Sequence, residues 1–180
     1  MIEKLGHLIF KLKNFNKIPR LIKKGLIVGK NFQPQVGCII DPCHCWLIRI
    51  GNNVTLAPRV HILAHDASTL NLMGYSKVGL VIIGDNVFIG AGSIILPNVR
   101  IGNNVIIGAG SVVTKDIPDN TVAVGNPAEI IAKTDDFIAK NKENLGKRPI
   151  FDRSYSEKFI TQEKKNEMIE KLRDGIGYHQ

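Results

Sequence analysis

The sequence predicts an all-β fold, a parallel β-helix, and three observations point to it. Residues 83–118 divide without remainder into six-residue blocks: IGDNVF, IGAGSI, ILPNVR, IGNNVI, IGAGSV and VTKDIP. The first position of each block is branched and apolar (Ile83, Ile89, Ile95, Ile101, Ile107, Val113), and the second is mostly glycine (Gly84, Gly90, Gly102, Gly108). The fifth is small or β-branched (Val87, Ser93, Val99, Val105, Ser111, Ile117). A period of six suits neither an amphipathic helix nor a simply alternating strand, whereas a fixed internal repeat marks a stacked architecture. Each block then makes one short flat strand and a corner, and three blocks make a triangular turn. The branched residue points into the prism and stacks on its equivalent about 4.8 Å along the axis. Glycine beside it permits corner geometry that a Cβ would obstruct.

The elements follow in chain order. Residues 1–26 form a basic arm: residues 1–30 carry eight Lys or Arg against the single acid Glu3, most of the net charge of +8. Ile2, Leu5, Leu8, Ile9 and Leu12 recur at helical spacing with lysines between them, which predicts a short amphipathic helix over 2–13. Such a helix either caps the open end of the prism or lies on an anionic membrane surface through residues 1–24; Pro19 closes the arm. The coil occupies residues 27–133. It begins faintly at Val28-Gly29, is irregular through Asp41-Pro42-Cys43-His44, and is clear at IGNNVT (50–55) and LAPRVH (56–61). The next block starts at Ile62 and the following clean one at Ile83, a gap of 21 that is not a multiple of six. In phase with Ile62 the inward fifth slot would hold Asp66, a costly unpaired charge. The chain therefore leaves the coil at about 64 and returns near 81, and loops on rigid scaffolds are where function concentrates. Residues 134–180 are a charged, non-repetitive tail with a helix predicted over 156–172, its apolar side made by Phe159, Met168, Ile169 and Leu172.

Composition narrows the class. At 180 residues the chain is one domain with tails. No aromatic-interleaved basic platform of the nucleic-acid-binding kind appears, so nucleic acid is not expected as a partner. Cys38, Cys43 and Cys45 are an odd number packed closely together, which suggests reduced thiols in a cytoplasmic protein and no disulfide framework. Cys-His-Cys at 43–45 lacks a second cysteine pair, so no metal is expected there. No apolar run approaches 18 residues.

The run IGAGSVVTKDIP followed by VAVGNPA resembles the hexapeptide-repeat acyltransferases, over roughly residues 27–133. It is most similar to the sugar and polysaccharide O-acetyltransferases, the group that includes the galactoside and maltose acetyltransferases. The resemblance implies a left-handed coil, an exception to the usual crossover rule. It further implies acetyl-CoA as co-substrate, no metal, and a homotrimer with sites between subunits. O-acetyl transfer needs a base for the acceptor hydroxyl, and imidazole suits neutral pH. His65 stands where the coil opens into the excursion, in APRVHILAHD, the context of the family's loop histidine, and is the candidate base. Asp66 is a candidate to orient it, as is an acid from elsewhere. His61 falls in an outward slot of the repeat, where it either lines a groove or is simply exposed. Asp41 and His44, one coil earlier, are candidates to orient the base or bind the acceptor. Phe88 stands where the galactoside branch carries tryptophan and bears on acceptor preference.

For the coenzyme, the resemblance assigns Ala91, Gly108 and Ala109 to the corners beside the pantetheine arm, Thr114 and Lys115 to its distal part, and Lys133 to the phosphates. Backbone N–H groups at the Gly-Ala corners are the candidate oxyanion donors. In a trimer His65 would work with Ala91 and Ala109 of a neighbouring chain. The leading reading is an O-acetyltransferase acting in surface polysaccharide biosynthesis. Amino-sugar N-acetylation and a γ-class carbonic-anhydrase-like metal hydratase, with His44, His61 and His65 as ligands, are the alternatives on the same scaffold. A non-catalytic assembly β-helix would not need the inserted histidine.

Overall fold

A computed structural model describes residues 17–180. The amphipathic helix expected over 2–13 lies outside them. The described chain opens with helix α1 (Lys17–Lys23). Pro19 sits in the first turn of α1 and does not close the arm, because its missing N–H would have no intrahelical partner there in any case. Leu21 and Leu26 then bury themselves over the first coil together with Ile40, Cys45 and Ile48, so α1 covers that end of the core.

The coil follows in order. Its first turn is β1 (Ile27–Val28), β2 (Gln33–Pro34) and β3 (Ile39–Ile40). Its second is β4 (Ile48–Ile50), β5 (Thr55–Leu56) and β6 (His61–Ile62). An excursion of β7 (His65–Asp66), α2 (Leu70–Met73) and β8 (Lys77–Val78) comes next. The third turn is β9 (Val81–Ile83), β10 (Phe88–Ile89) and β11 (Ile94–Ile95), and the fourth is β12 (Val99–Ile101), β13 (Ile106–Ile107) and β14 (Val112–Val113). β15 (Thr121–Val124) adds a last strand, and β16 (Glu129–Lys133) turns back antiparallel on it.

Equivalent strands stack into three parallel sheets, β1-β4-β9-β12, β2-β5-β10-β13-β15 and β3-β6-β11-β14, the faces of a prism. Slots one and five of every block point inward as the repeat requires. Ile83, Ile89, Ile95, Ile101, Ile107 and Val113 are buried, as are Val87, Val99, Val105 and Ile117. Each such side chain contributes about 1.5–3 kcal/mol through burial. Ser93 and Ser111 also face inward, and both hydroxyls donate to the Gly108 carbonyl, at 2.9 and 2.8 Å.

One corner is held by a feature that the repeat did not disclose. Asn31, Asn53, Asn86, Asn104 and Asn120 all take left-handed backbone conformations, with φ of 55–58°, which asparagine tolerates better than most residues. Their side-chain amides join into a ladder from coil to coil at 2.9–3.0 Å. The glycine of the same corner is forced by close approach, since a Cβ on Gly84 would stand 2.7 Å from the Gly102 carbonyl oxygen. Gly84→Ala should therefore destabilise the protein by about 1–3 kcal/mol, read as a lowered Tm. An unchanged Tm would show that the coils can separate there.

Register locates the irregularities. Partners advance by 18 residues between the third and fourth coils (Ile82 to Arg100), but by 22 between the first and second (Ile27 to Arg49) and by 33 between the second and third (Arg49 to Ile82). Both surpluses lie after strands of the β3-β6-β11-β14 face, in residues 41–47 and 63–80. Two insertions are thus stacked on one corner.

The described residues divide into two compact units, one ending at Thr134 and the other running from Asp135 to Gln180. The second contains most of α3 (Thr134–Leu145), β17 (Ile150–Phe151), α4 (Gln162–Lys171) and β18 (Tyr178–His179), with β17 and β18 paired and Phe151 buried against Tyr155. The helix expected over 156–172 is shorter at its start, because the Thr161 hydroxyl accepts from the Lys164 N–H and caps α4 there.

Candidate active site

The doubled corner brings Asp41 and His65 together. Ile40 pairs with Ile62, so Asp41 begins the first insertion directly beside the point where the second begins. The Asp41 N–H donates to the Ile62 carbonyl and fixes the backbone. Its carboxylate is wholly buried yet fully engaged. Oδ1 accepts from the backbone N–H of Cys43 (2.9 Å) and His44 (3.0 Å), and Oδ2 accepts from the Ala64 N–H (3.0 Å) and from Nδ1 of His65 (2.5 Å). Burial pushes the Asp41 carboxyl up, but the His65 bond and the three backbone donors outweigh it and hold it below the ordinary carboxylate range. Asp41 is therefore ionised at neutral pH, and the proton between the two side chains sits on Nδ1 of His65. In the neutral imidazole this makes the other ring nitrogen, Nε2, the acceptor, on a side chain one-third exposed.

The excursion that carries His65 is a short hairpin. His65 pairs with Val78 and Asp66 with Lys77. Asp66 does not orient His65, which corrects that expectation: neighbouring strand residues point apart, and Asp66 instead meets the Lys77 ammonium at 2.6 Å and the Ser68 N–H at 2.8 Å. Those partners hold its carboxyl down to about 2. Gly79 closes the loop through its N–H to the Ala64 carbonyl (3.0 Å), where a Cβ would collide with Asn98.

His44 lies across the dyad, its ring centroid 4.9 Å from that of His65, with Nδ1 buried and unpartnered among the described residues. Trp46, half exposed, stands 5.4 Å beyond His44; it went unmarked in the sequence, where a lone tryptophan in an irregular corner was the available signal. His61 faces outward on β6 between Ile39 and Ile94. Among the described residues, the groups able to share a metal ion are Asp41, His44 and His65, with ligand atoms within 4.8 Å of one another. This corrects the three-histidine ligand set, since Asp41 takes the place of His61. With four donors already on Asp41 and Nδ1 of His65 bound to it, the arrangement suits a hydrogen-bonded dyad better than a metal cage.

The remaining candidates divide between corners. Thr114 and Lys115 lie on the same corner as His65, two coils on, where they share an open groove with Leu80, Asn98, Arg100 and Asp116. Lys115 pairs with Glu129 at 3.1 Å. Ala91, Gly108 and Ala109 lie on the next corner, after β10 and β13, and Phe88 is exposed on the β2-β5-β10-β13-β15 face opposite the dyad. Lys133 is exposed at the end of β16. A single chain does not bring these residues to His65. Among the described residues no helix is long and apolar enough to cross a membrane.

Residues 81–115 match the family described as bacterial transferase hexapeptide, six repeats. Protein CapG of Staphylococcus aureus is 42% identical over 133 residues, 72% of this chain and 73% of that protein. The chain belongs to the hexapeptide-repeat acyltransferase family. Two solved structures share the family's fold with it. A maltose O-acetyltransferase from Clostridium difficile 630 is 52% identical with a TM-score of 0.53, covering 59% of this chain and 57% of its own. A galactoside acetyltransferase in complex with coenzyme A is 37% identical with a TM-score of 0.57, covering 62% and 56%. This family member therefore spans most of CapG but little more than half of either solved relative.

Proposed function

We propose that this protein is an acetyl-CoA-dependent O-acetyltransferase acting on a sugar hydroxyl, with His65 as general base. The observation that carries the reading is the bond from Nδ1 of His65 to the buried, ionised Asp41. Support for the acetyl donor and for a sugar acceptor comes from the solved relatives, one titled as a coenzyme A complex and another as a maltose O-acetyltransferase. Their likeness also supports a left-handed coil.

In this mechanism Nε2 of His65 takes the proton as the acceptor oxygen attacks the thioester carbonyl carbon. The C–S bond then breaks, and the proton passes from Nε2 to the departing coenzyme A thiolate. Asp41 holds the tautomer and stabilises the imidazolium while it exists. Thr114 and Lys115, on the corner of the dyad, serve the distal part of the coenzyme, and Lys133 its phosphates. Ala91, Gly108 and Ala109 contribute only if a neighbouring chain supplies them, which favours a homotrimer with the site between subunits. The basic amphipathic stretch at 1–24 suits an acceptor held at an anionic membrane surface, and we assign the activity to surface polysaccharide biosynthesis.

The test is transfer from acetyl-CoA to methyl hexosides, maltose and amino sugars, with metal content measured on the same samples. Hydroxylamine-labile ester products support O-acetylation, and stable amides would transfer the assignment to N-acetylation. Because Asp41, His44 and His65 lie within ligand reach of one another, stoichiometric zinc or iron without acetyl-CoA binding would replace the transferase reading with the hydratase.

A further inference from the structure

We propose that Trp46 is the platform on which a sugar ring of the acceptor stacks, an inference that rests on the sugar acetyltransferase reading above. Trp46 is the single tryptophan of the chain, and 51% of it is open to solvent. Its backbone is firmly held. It lies in a short 3-10 turn, Cys45–Leu47, whose first residue is fully buried. Behind it Gly25, with φ of 106°, comes so close that a Cβ there would stand 2.9 Å from that of Trp46. A rigid mount with a free indole face is what a stacking surface needs, since little conformational freedom is lost on binding.

The position follows from the same corner that makes the dyad. Trp46 lies 5.4 Å from His44, and His44 lies 4.9 Å from His65, so the indole and the base are at most about 10 Å apart. A mono- or disaccharide bridges that span. The aromatic face carries negative charge density, which attracts the polarised C–H face of a pyranose, and the indole N–H can donate to a hydroxyl. A sugar lying on Trp46 would extend past His44 and present a hydroxyl to Nε2 of His65. The ligand class is a hexopyranoside with one unobstructed C–H face.

The test uses the full chain with acetyl-CoA, methyl hexosides and maltose, comparing wild type, Trp46→Ala and Trp46→Phe. Trp46→Ala should raise KM for the sugar about tenfold, equivalent to 1.4 kcal/mol, with kcat and KM for acetyl-CoA within about twofold. Trp46→Phe keeps an aromatic face and should stay within about threefold of wild type. The emission of the single tryptophan in wild type should shift and saturate at sugar concentrations near KM. That readout, with Trp46→Phe, decides the matter should the alanine variant fail to fold. A sugar KM unmoved in Trp46→Ala, or rising together with that for acetyl-CoA, would overturn the platform while leaving the enzyme reading intact. So would emission that ignores saturating sugar but shifts with phosphatidylglycerol vesicles, since Trp46 would then be a membrane contact. Wild type that acetylates none of these sugars would remove the enzyme reading, and the platform with it.

Discussion

Replacing His65 with alanine should lower acetyl transfer by about two to four orders of magnitude, with coenzyme binding retained. The effect is large because no other described group is placed to take the proton. The ring of His44 is nearby, but its Nδ1 is buried and, among the described residues, has no hydrogen-bond partner to orient it. The loss should also be specific. His65 is a one-third exposed side chain on a surface hairpin, so its removal leaves no core cavity. Added imidazole should restore part of the rate. Circular dichroism and coenzyme titration establish that the variant is folded and loaded. Retention of more than about a tenth of wild-type kcat/KM would sink the base assignment.

Asp41→Asn should damage both activity and stability, and the two losses should respond differently to pH. The asparagine amide cannot reproduce a carboxylate that accepts from four donors. Whichever way it turns, its NH2 faces N–H groups that previously had an acceptor, at about 1–3 kcal/mol for each group left unsatisfied. The His65 ring is then free to take the wrong tautomer, and kcat should fall by about 10²–10⁴-fold. Because the folded state holds Asp41 below the ordinary carboxylate range, its stabilising contribution is present above the unfolded value of roughly 3.9. It disappears as pH falls through the lower folded value. The Tm gap between wild type and Asp41→Asn should therefore be widest near neutrality and narrow in acid. A gap constant across that range would mean that ionisation of Asp41 contributes nothing to stability.

Much of the fold was legible because a six-residue period states directly which side chains face inward. Ile83, Val87, Ile89 and their equivalents needed no tertiary information. The excursion was legible for the same reason, since a phase that would bury Asp66 marks where the coil must open. The site was only half legible. His65 stood out by context, but its partner could be assigned only by counting register across an irregular first coil. There the four extra residues displace every block boundary before Ile48. Trp46 was missed for that reason too: no repeat phase predicts the direction of a side chain in a 3-10 turn. The asparagine ladder was visible as recurring letters, yet its meaning depends on left-handed corners that only coordinates reveal. In the tail, amphipathic spacing located a helix but not its start, which the hydroxyl of Thr161 sets.

The placement of both insertions on one corner has a thermodynamic consequence. The entropy cost of closing a flexible loop grows only logarithmically with its length, by about 0.6 kcal/mol for each doubling. The ends of the excursion are pinned by strands β6 and β9, whatever lies between them. Residues 67–76 can thus be lengthened, shortened or exchanged at little cost to the prism, while Asp41 and His65 stay anchored at its edge. The length and composition of the excursion are therefore decoupled from the stability of the prism that carries the dyad.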